Sequence, residues 1–361
     1  MAVVGSVVVV TGAGSPLGRR VVAAIATDPA VARIVAVDPV LHVDGRRRLD
    51  GSVELRVAPF TLGDPRLVDA VAGATELVHL GTSLGLELDG TGGTDLDVAG
   101  VAELLRVLGE VGVIEHVVVV SSALVYGARD DNPVPLTEAA PVRPDPEVPA
   151  AVAKAEVERL VRTWAAERGA RCAVLRPSLV VGPEHSRWFA RSPWSGAGLQ
   201  VSGAESPVQF LHVDDLVAAV GVARHDRFDG VANVAPDGWL TAEQLRELKG
   251  PAPRIRLPRR LALAVARLTA RIRPEQGDPS AVVASAAPWV VANDRLRALG
   301  WAPTHSSEEA FVVADPGGPW ARLTPRHRQV IALGGVGVVL SVISLGVLGV
   351  VLRARRRYRN R

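Results

Sequence analysis

The chain has 361 residues, of which 48% are hydrophobic and 35 are glycine, enough for one large α/β domain or two smaller ones. Its formal charge is +3, but the last nine residues, RARRRYRNR, hold six arginines, so the body is close to neutral. This distribution argues against a nucleic-acid-binding surface on the main domain. A single cysteine, Cys172, excludes an internal disulfide and suits a reducing compartment.

The first half of the chain alternates apolar strands with helical patterns such as LGRRVVAAIATD and DVAGVAELLRVLGEVG. The strand-like runs are short, rich in β-branched residues and apolar on both faces, which is typical of a parallel sheet covered by helices on both sides. Repeated units of this kind predict an α/β fold with a doubly wound parallel sheet. The predicted strands are Ser6–Gly12, Arg33–Asp38, Val53–Ala58, Glu76–Gly81, His116–Ser122 and Cys172–Pro177.

The regularity of the pattern falls after Gly182, where PEHSRWFARSPWSGAG predicts a loop or lid. We therefore predict a larger domain over residues 1–182, to which part of 208–235 returns, and a smaller region over 183–313. A linker over 314–329 follows. The stretch PRIRLPRRLALAVARLTARIRPE predicts an amphipathic basic helix, either packed with a solvated outer face or lying on a membrane surface.

The stretch Val330–Leu352 contains 23 residues without a charge. As a helix it would span roughly 34 Å, enough to cross a hydrocarbon core of about 30 Å. We therefore expect a C-terminal transmembrane helix and a membrane-anchored protein. The basic tail, 353–361, would by its charge lie in the cytoplasm, which conflicts with a folded domain expected there, so the topology stays open.

A glycine loop joins the first predicted strand to the first predicted helix. Gly12, Gly14 and Gly18 would let the backbone turn sharply and let a pyrophosphate approach the helix N-terminus. Asp38 ends the second strand twenty residues after Gly18, where a carboxylate can accept hydrogen bonds from ribose hydroxyls. This pattern predicts a dinucleotide cofactor, NAD in preference to NADP, although the arginines at 46–48 leave room for NADP.

Motifs in order along residues 4–312 resemble the extended short-chain dehydrogenase/reductase family, in its NAD-dependent epimerase/dehydratase branch. TGAGSPLG parallels the family's TGxxGxxG loop with Ser15 in the place of the middle glycine; GDPRL, LVHLGTS, VVVVSSALVYG and LRPSLVVGP also have family counterparts. The resemblance implies a Rossmann-type fold with a smaller C-terminal substrate domain, a small-molecule substrate, and is compatible with a homodimer. The cofactor-binding residues that it implies are Gly12, Gly14, Ser15, Leu17, Gly18, Asp38, Asp64, Leu80, Gly81, Lys154 and Pro177.

The same resemblance implies a catalytic Tyr-x-x-x-Lys pair on one helix face, with a serine that maps to Ser122. In that pair the lysine lowers the tyrosine pKa and binds the nicotinamide ribose. Lys154 matches the lysine, but Ala150 stands where the tyrosine is expected. Tyr126 and Tyr358 are the only tyrosines, and neither is at that position.

Two acidic residues, Asp145 and Glu147, are weighed as substitute bases, although the prolines around them disfavour a helix face. Ser122 either binds a substrate hydroxyl or only satisfies the backbone at a strand end. The LHVDD segment offers His212, Asp214 and Asp215 as metal ligands, but an aspartate capping the next helix is favoured, and no metal site is expected. Cys172 is expected to be buried.

Two functions follow from these observations. One is a membrane-anchored NAD-dependent oxidoreductase or epimerase/dehydratase, with its catalytic domain in the cytoplasm and a sugar-nucleotide, sterol-like or lipid-linked substrate. The other is a catalytically degenerate NAD-binding sensor or scaffold at the membrane, which Ala150 favours.

Overall fold

The computed structural model describes residues 5–39, 41, 46–49, 53–58, 61–62, 64–81, 94–185, 189, 192–252, 254–272 and 279–315. Its main feature is an eight-stranded sheet with the order β11-β7-β6-β5-β1-β2-β4-β3. Every pairing in this sheet is parallel except that of β3 with β4. The strands of this sheet are β1 Ser6–Thr11, β2 Val31–Val37, β3 Arg46–Leu49, β4 Val53–Ala58, β5 Glu76–His79, β6 His116–Val120, β7 Arg171–Pro177 and β11 Gly230–Val234.

The strand order reverses direction around β1, because β2 lies on one side of it and β5 on the other. Helices cover both faces, so the prediction of a Rossmann-type doubly wound sheet is confirmed. One face packs on α1 Pro16–Ala26 and α5 Val213–His225, and the other on α2 Leu67–Val71, α3 Thr94–Val111 and α4 Pro149–Arg168.

A second hydrophobic core gathers residues from the middle and the end of the chain. Three phenylalanines meet there, with ring centroids 5.4 to 5.6 Å apart. Two small parallel pairs frame this core, β8 Leu179–Val181 with β10 Phe210–His212 and β9 Gly198–Val201 with β12 Arg254–Leu257. The remaining helices are α6 Ala242–Lys249, α7 Arg259–Ile272, α8 Pro279–Ala284, α9 Asp294–Arg297 and α10 Ser307–Ala314.

The fold class has to be corrected on the predicted transmembrane helix. Among the described residues no helix is long and apolar enough to cross a bilayer. The two longest, α3 and α4, each carry several charged residues, which is the physical reason that they cannot do so. The stretch 330–352, on which the prediction rested, lies outside the described residues, as do 316–329 and the tail 353–361. The fold that the structure supports is the α/β architecture without that helix.

Candidate functional site

The glycine loop between β1 and α1 is built so closely that side chains are excluded from it. A Cβ on Gly18 would lie 2.1 Å from the carbonyl oxygen of Gly12, and one on Gly12 would lie 2.5 Å from that of Gly81. Gly12 also has a φ of +71°, which favours glycine. Ser15 caps α1, because its Oγ accepts from the Gly18 N–H at 2.9 Å and donates to the Gly12 carbonyl at 2.8 Å. Leu17 is fully buried beneath the loop.

Asp38 lies against this loop, just after β2. Its Oδ2 accepts a hydrogen bond from the backbone N–H of Gly14 at 2.9 Å. A Cβ on Gly14 would come within 2.9 Å of the Asp38 Cγ, so this glycine lets the carboxylate approach the loop. The open cradle, the capped helix N-terminus and the adjacent carboxylate fit a dinucleotide. The arginines at 46–48 form β3, but their side chains lie outside the described part.

Asp64, one of the predicted cofactor-binding residues, makes local contacts in the segment before α2. Its carboxylate accepts from the Arg66 guanidinium at 2.6 Å and from the Arg66 backbone N–H at 2.9 Å. These hydrogen bonds, the side-chain one first, lower the pKa of Asp64 to about 2, so it is ionised at neutral pH. Its oxygens therefore act only as hydrogen-bond acceptors.

Lys154 is brought to the glycine loop by the fold. Gly81 follows β5 with a φ of +71°, and a Cβ there would lie 3.3 Å from the Lys154 Nζ. Because Gly81 also touches Gly12, three residues far apart in sequence meet at the carboxyl ends of β1 and β5. Leu80 is buried beside them, and Pro177 is buried at the end of β7.

Ser122 and Ala150 stand where the resemblance places the reaction. Ser122 follows β6 and is buried; its Oγ accepts from the Leu124 N–H at 3.2 Å and caps a short 3₁₀ turn, Ala123–Tyr126. Ala150 is buried in the first turn of α4, one helical turn before Lys154 and on the same face. At this position the helix therefore presents a methyl group, which cannot exchange a proton.

The acids considered as substitutes for the missing tyrosine are engaged elsewhere. Tyr126 is buried, donates to the Asn233 Oδ1 at 2.8 Å and accepts from Arg176 at 2.9 Å, and burial raises its pKa. Glu147 pairs with Arg267 on α7 at 2.5 Å. The Asp145 carboxylate accepts from the Glu147 N–H at 2.9 Å and lies 3.9 Å from an arginine of α7. Each of these three side chains therefore has partners of its own.

A buried ion pair beneath the site escaped the sequence reasoning. Arg176 on β7 binds Glu158 on α4 through two hydrogen bonds, of 3.0 and 2.6 Å, and both side chains are buried. Glu158 lies one helical turn after Lys154, and Pro177 follows Arg176 directly. The available signal was an arginine in an otherwise apolar strand, CAVLRP, which needs a carboxylate partner when buried.

Several buried polar groups surround the ends of β1, β5, β6 and β7. His79 shares a 2.7 Å hydrogen bond with the Thr11 hydroxyl. Burial, and secondarily the charge of Lys154, lower the His79 pKa to about 3, so its ring is neutral. The hydroxyls of Ser121 and Ser178 are buried and find no hydrogen-bond partner among the described residues.

The side chains of the LHVDD segment make structural hydrogen bonds. His212, and not an aspartate as expected, caps α5 by accepting from the Asp214 N–H at 3.3 Å. Asp215 is buried and accepts from the backbone and side chain of Thr304 at 2.8 and 2.6 Å. Within the described part of the chain no group of three or more His, Cys, Asp or Glu is placed to hold a metal. Cys172 is buried, which raises its pKa to about 12.

A cleft that is open to solvent lies over the second core. The indoles of Trp194 and Trp289 meet edge to face in its wall, with centroids 6.2 Å apart. Arg246 and Arg256 supply positive charge at the same cleft. A small recess shares Trp289 with it and reaches Ser178, next to Pro177. The cleft therefore leads toward the carboxyl end of β7.

Comparison with known proteins decides the family. The sequence model of the NAD dependent epimerase/dehydratase family matches residues 8–235, more than half of the chain. The chain belongs to this family. The match contains the glycine loop, Asp38, Ser122, Lys154 and Pro177.

Two relatives illustrate how far this family has diverged in sequence. An uncharacterized protein of Mycobacterium tuberculosis is 26% identical over 257 residues, 68% of this chain and 66% of that protein. The 3-diazoavenalumate denitrifying reductase of a Streptomyces species is 34% identical over 208 residues, 52% of this chain and 61% of the reductase. The chain thus spans slightly less than two thirds of the length of these curated relatives.

Several solved structures share the fold of this chain at low sequence identity. MoeE5 in complex with UDP-glucuronic acid and NAD has a TM-score of 0.62 at 22% identity, covering 86% of this chain and 97% of MoeE5. UDP-glucose 4-epimerase of Thermus thermophilus in complex with NAD has a TM-score of 0.62 at 19% identity, covering 85% and 97%. Together with the family match, these structures support NAD as the cofactor.

We expect Gly18→Ala to abolish NAD binding and to destabilise the fold by about 1–3 kcal/mol, because the new Cβ meets backbone atoms that cannot move aside. Gly221→Ala is the matched control: Gly221 lies in α5 with open space around its Cα, so this change leaves NAD binding intact and alters stability by at most about 1 kcal/mol. Calorimetric titration with NAD measures the affinity of each variant, and urea unfolding measures its stability. Equal NAD affinity in the two variants would contradict the role of the loop.

We expect Arg176→Met to lower the free energy of unfolding by about 3–5 kcal/mol, because it leaves the Glu158 carboxylate buried without its partner. The double variant Arg176→Met/Glu158→Leu removes both charges and should lose clearly less stability. Urea denaturation of the three proteins tests this order. The idea fails if the double variant is as unstable as the single one.

Acid should weaken the fold through His79. Its folded-state pKa of about 3 lies below the unfolded value of 6.5, so the unfolded chain alone takes up the proton as the pH falls below 6.5. The contribution of neutral His79 to the free energy of unfolding is fully present above pH 6.5. Below pH 6.5 it falls by about 1.4 kcal/mol per pH unit. Unfolding at pH 7 and pH 5 should therefore show a smaller pH-dependent loss in His79→Asn than in the unchanged chain. An identical loss in both would count against this prediction.

Proposed function

We propose that the chain is an NAD-dependent oxidoreductase of the epimerase/dehydratase family that acts on a nucleotide-linked sugar. The observation that carries the proposal is the meeting of Gly12, Gly81 and Lys154 at the carboxyl ends of β1 and β5. There, the Lys154 ammonium lies beside Gly81, which contacts the loop that is shaped for a pyrophosphate. NAD, when bound, supplies the acceptor and donor of a hydride.

The residues of the chain would bind the cofactor and orient the substrate. The Lys154 ammonium is a compact donor suited to ribose hydroxyls, and Asp38 is an acceptor suited to the hydroxyls of the other ribose. Ser122, and the unpartnered hydroxyls of Ser121 and Ser178, would bind and orient the oxygen at the carbon that reacts. Ala150 supplies no proton, so proton transfer falls to the substrate or to water.

The cleft supports the sugar-nucleotide part of the proposal. The buried pair of Trp194 and Trp289 forms a firm apolar wall, and Arg256 offers charge for a diphosphate, while Arg246 pairs with Glu205 at the same cleft. MoeE5 and the Thermus epimerase are solved or named with UDP-linked sugars.

A second function, NAD binding without turnover, is favoured by one observation: the methyl group of Ala150 in place of a phenol one turn before Lys154. Such a protein would hold NAD as a sensor or scaffold. The two functions share the cofactor site and differ only in whether substrate is converted.

Calorimetric titration of the full chain with NAD, and then with UDP-glucose, tests these functions. We expect NAD to bind and Lys154→Ala to weaken it by about tenfold or more, since a charged hydrogen bond is worth about 1.5–3 kcal/mol. Arg256→Ala should weaken UDP-glucose and leave NAD unchanged.

Turnover separates the two functions. Conversion of a UDP-sugar by the unchanged chain, lost in Lys154→Ala, supports the oxidoreductase. Conversion that appears only after Ala150→Tyr supports the non-catalytic NAD binder. A chain that binds no NAD under any condition would refute both.

A further inference from the structure

Helix α7, Arg259–Ile272, leaves a row of apolar side chains uncovered. Leu261 is 55% exposed, Val265 43%, Leu268 58% and Ile272 70%. The opposite side of the helix is buried in the second core through Ala262, Leu263 and Ala266. One side of the helix is thus packed in the core. The exposed row of Leu261, Val265, Leu268 and Ile272 is called the α7 stripe.

The α7 stripe has the spacing of a coiled-coil seam. Its members follow one another at intervals of four, three and four residues. At 100° per residue they fall within roughly 60° of the helix circumference. A helix that lies in a bilayer surface presents a broader apolar face than these four side chains form. A stripe this narrow fits the facing seam of a single partner helix.

The charges beside the stripe indicate the chemistry of that partner. Arg260, Arg267 and Arg271 are exposed and occupy neighbouring positions on one edge of the stripe, and α7 contains no acidic residue. Arg267 already contacts Glu147 at 2.5 Å, which shows that a carboxylate can reach this edge. A second copy of α7 would bring the same arginines, and the Glu147 carboxylate at this edge is already paired with Arg267.

We propose that the α7 stripe is a docking surface for an amphipathic helix of a partner protein, with an apolar heptad seam and an acidic edge. Helix α7 packs on β9 and β12, whose residues Gln200 and Arg256 line the cleft. A helix docked on α7 therefore lies next to the cleft rim. The surface exists whether or not the chain turns over a nucleotide sugar.

The test uses the full chain and two synthetic helical peptides of about four heptads. Both have leucine at the a and d positions; one has glutamate and the other lysine at e and g. Fluorescence anisotropy should show the acidic peptide binding at least about tenfold more tightly than the basic one. Leu261→Glu/Leu268→Glu should weaken the acidic peptide by about tenfold or more. Val312→Glu, on α10 at a side chain 59% exposed, is the matched control and should bind as the unchanged chain does.

Circular dichroism establishes that all variants are folded. The proposal is overturned if the acidic peptide does not bind, or if both peptides bind equally. Sedimentation experiments test two other possible occupants of the α7 stripe, a second copy of the chain and a lipid bilayer. Self-association that the double variant abolishes would assign the stripe to a second copy. Pelleting with phosphatidylglycerol vesicles that the double variant abolishes would assign it to a bilayer, and either result overturns the partner helix.

Discussion

The buried pair of Arg176 and Glu158 is the interaction on which the geometry of the site depends. It joins β7 to α4, and through the Tyr126 hydroxyl it reaches the 3₁₀ turn that follows Ser122. The three elements that carry Ser122, Lys154 and Pro177 therefore share one charged contact in a place from which water is excluded. An unpartnered charge there is costly, so the elements are held in a single arrangement.

This arrangement makes the replacement at position 150 informative. The scaffold around the missing phenol is intact: α4 begins at Pro149, Lys154 reaches the glycine loop, and Ser122 ends its strand in a capped turn. Alanine at position 150 therefore leaves the elements around it in place.

Local patterns in the sequence were sufficient for the sheet and the glycine loop. Period and composition identify β1, β2, β4, β5, β6 and β7 to within two residues at each end, because parallel strands buried on both faces read as continuous apolar runs. The short strands β8, β9 and β12 were missed, since strands of three or four residues carry no period. The cap of α5 was also wrong, because a histidine ring took the place expected of an aspartate.

Long-range polar contacts could not be predicted in the same way. Arg176 and Glu158 are eighteen residues apart, and their pairing depends on how α4 packs on the sheet. The cleft was indicated only as an aromatic lid, since Trp194 and Trp289 come together through tertiary packing. The arginines of α7 were recognised as basic, but the sequence could not tell which apolar row of that helix would remain outside the core.

The position of β11 has a consequence for how the protein is made. This strand, Gly230–Val234, completes the sheet beyond β7, although some fifty residues separate the two along the chain. During synthesis the backbone N–H and C=O groups along the outer side of β7 are unpaired until β11 is made. Until then, that edge can pair with any other extended segment. The last strand of the sheet is thus a closing step that follows synthesis of the lid and β10, and the second core, which extends to Ala314, can be completed only after that step.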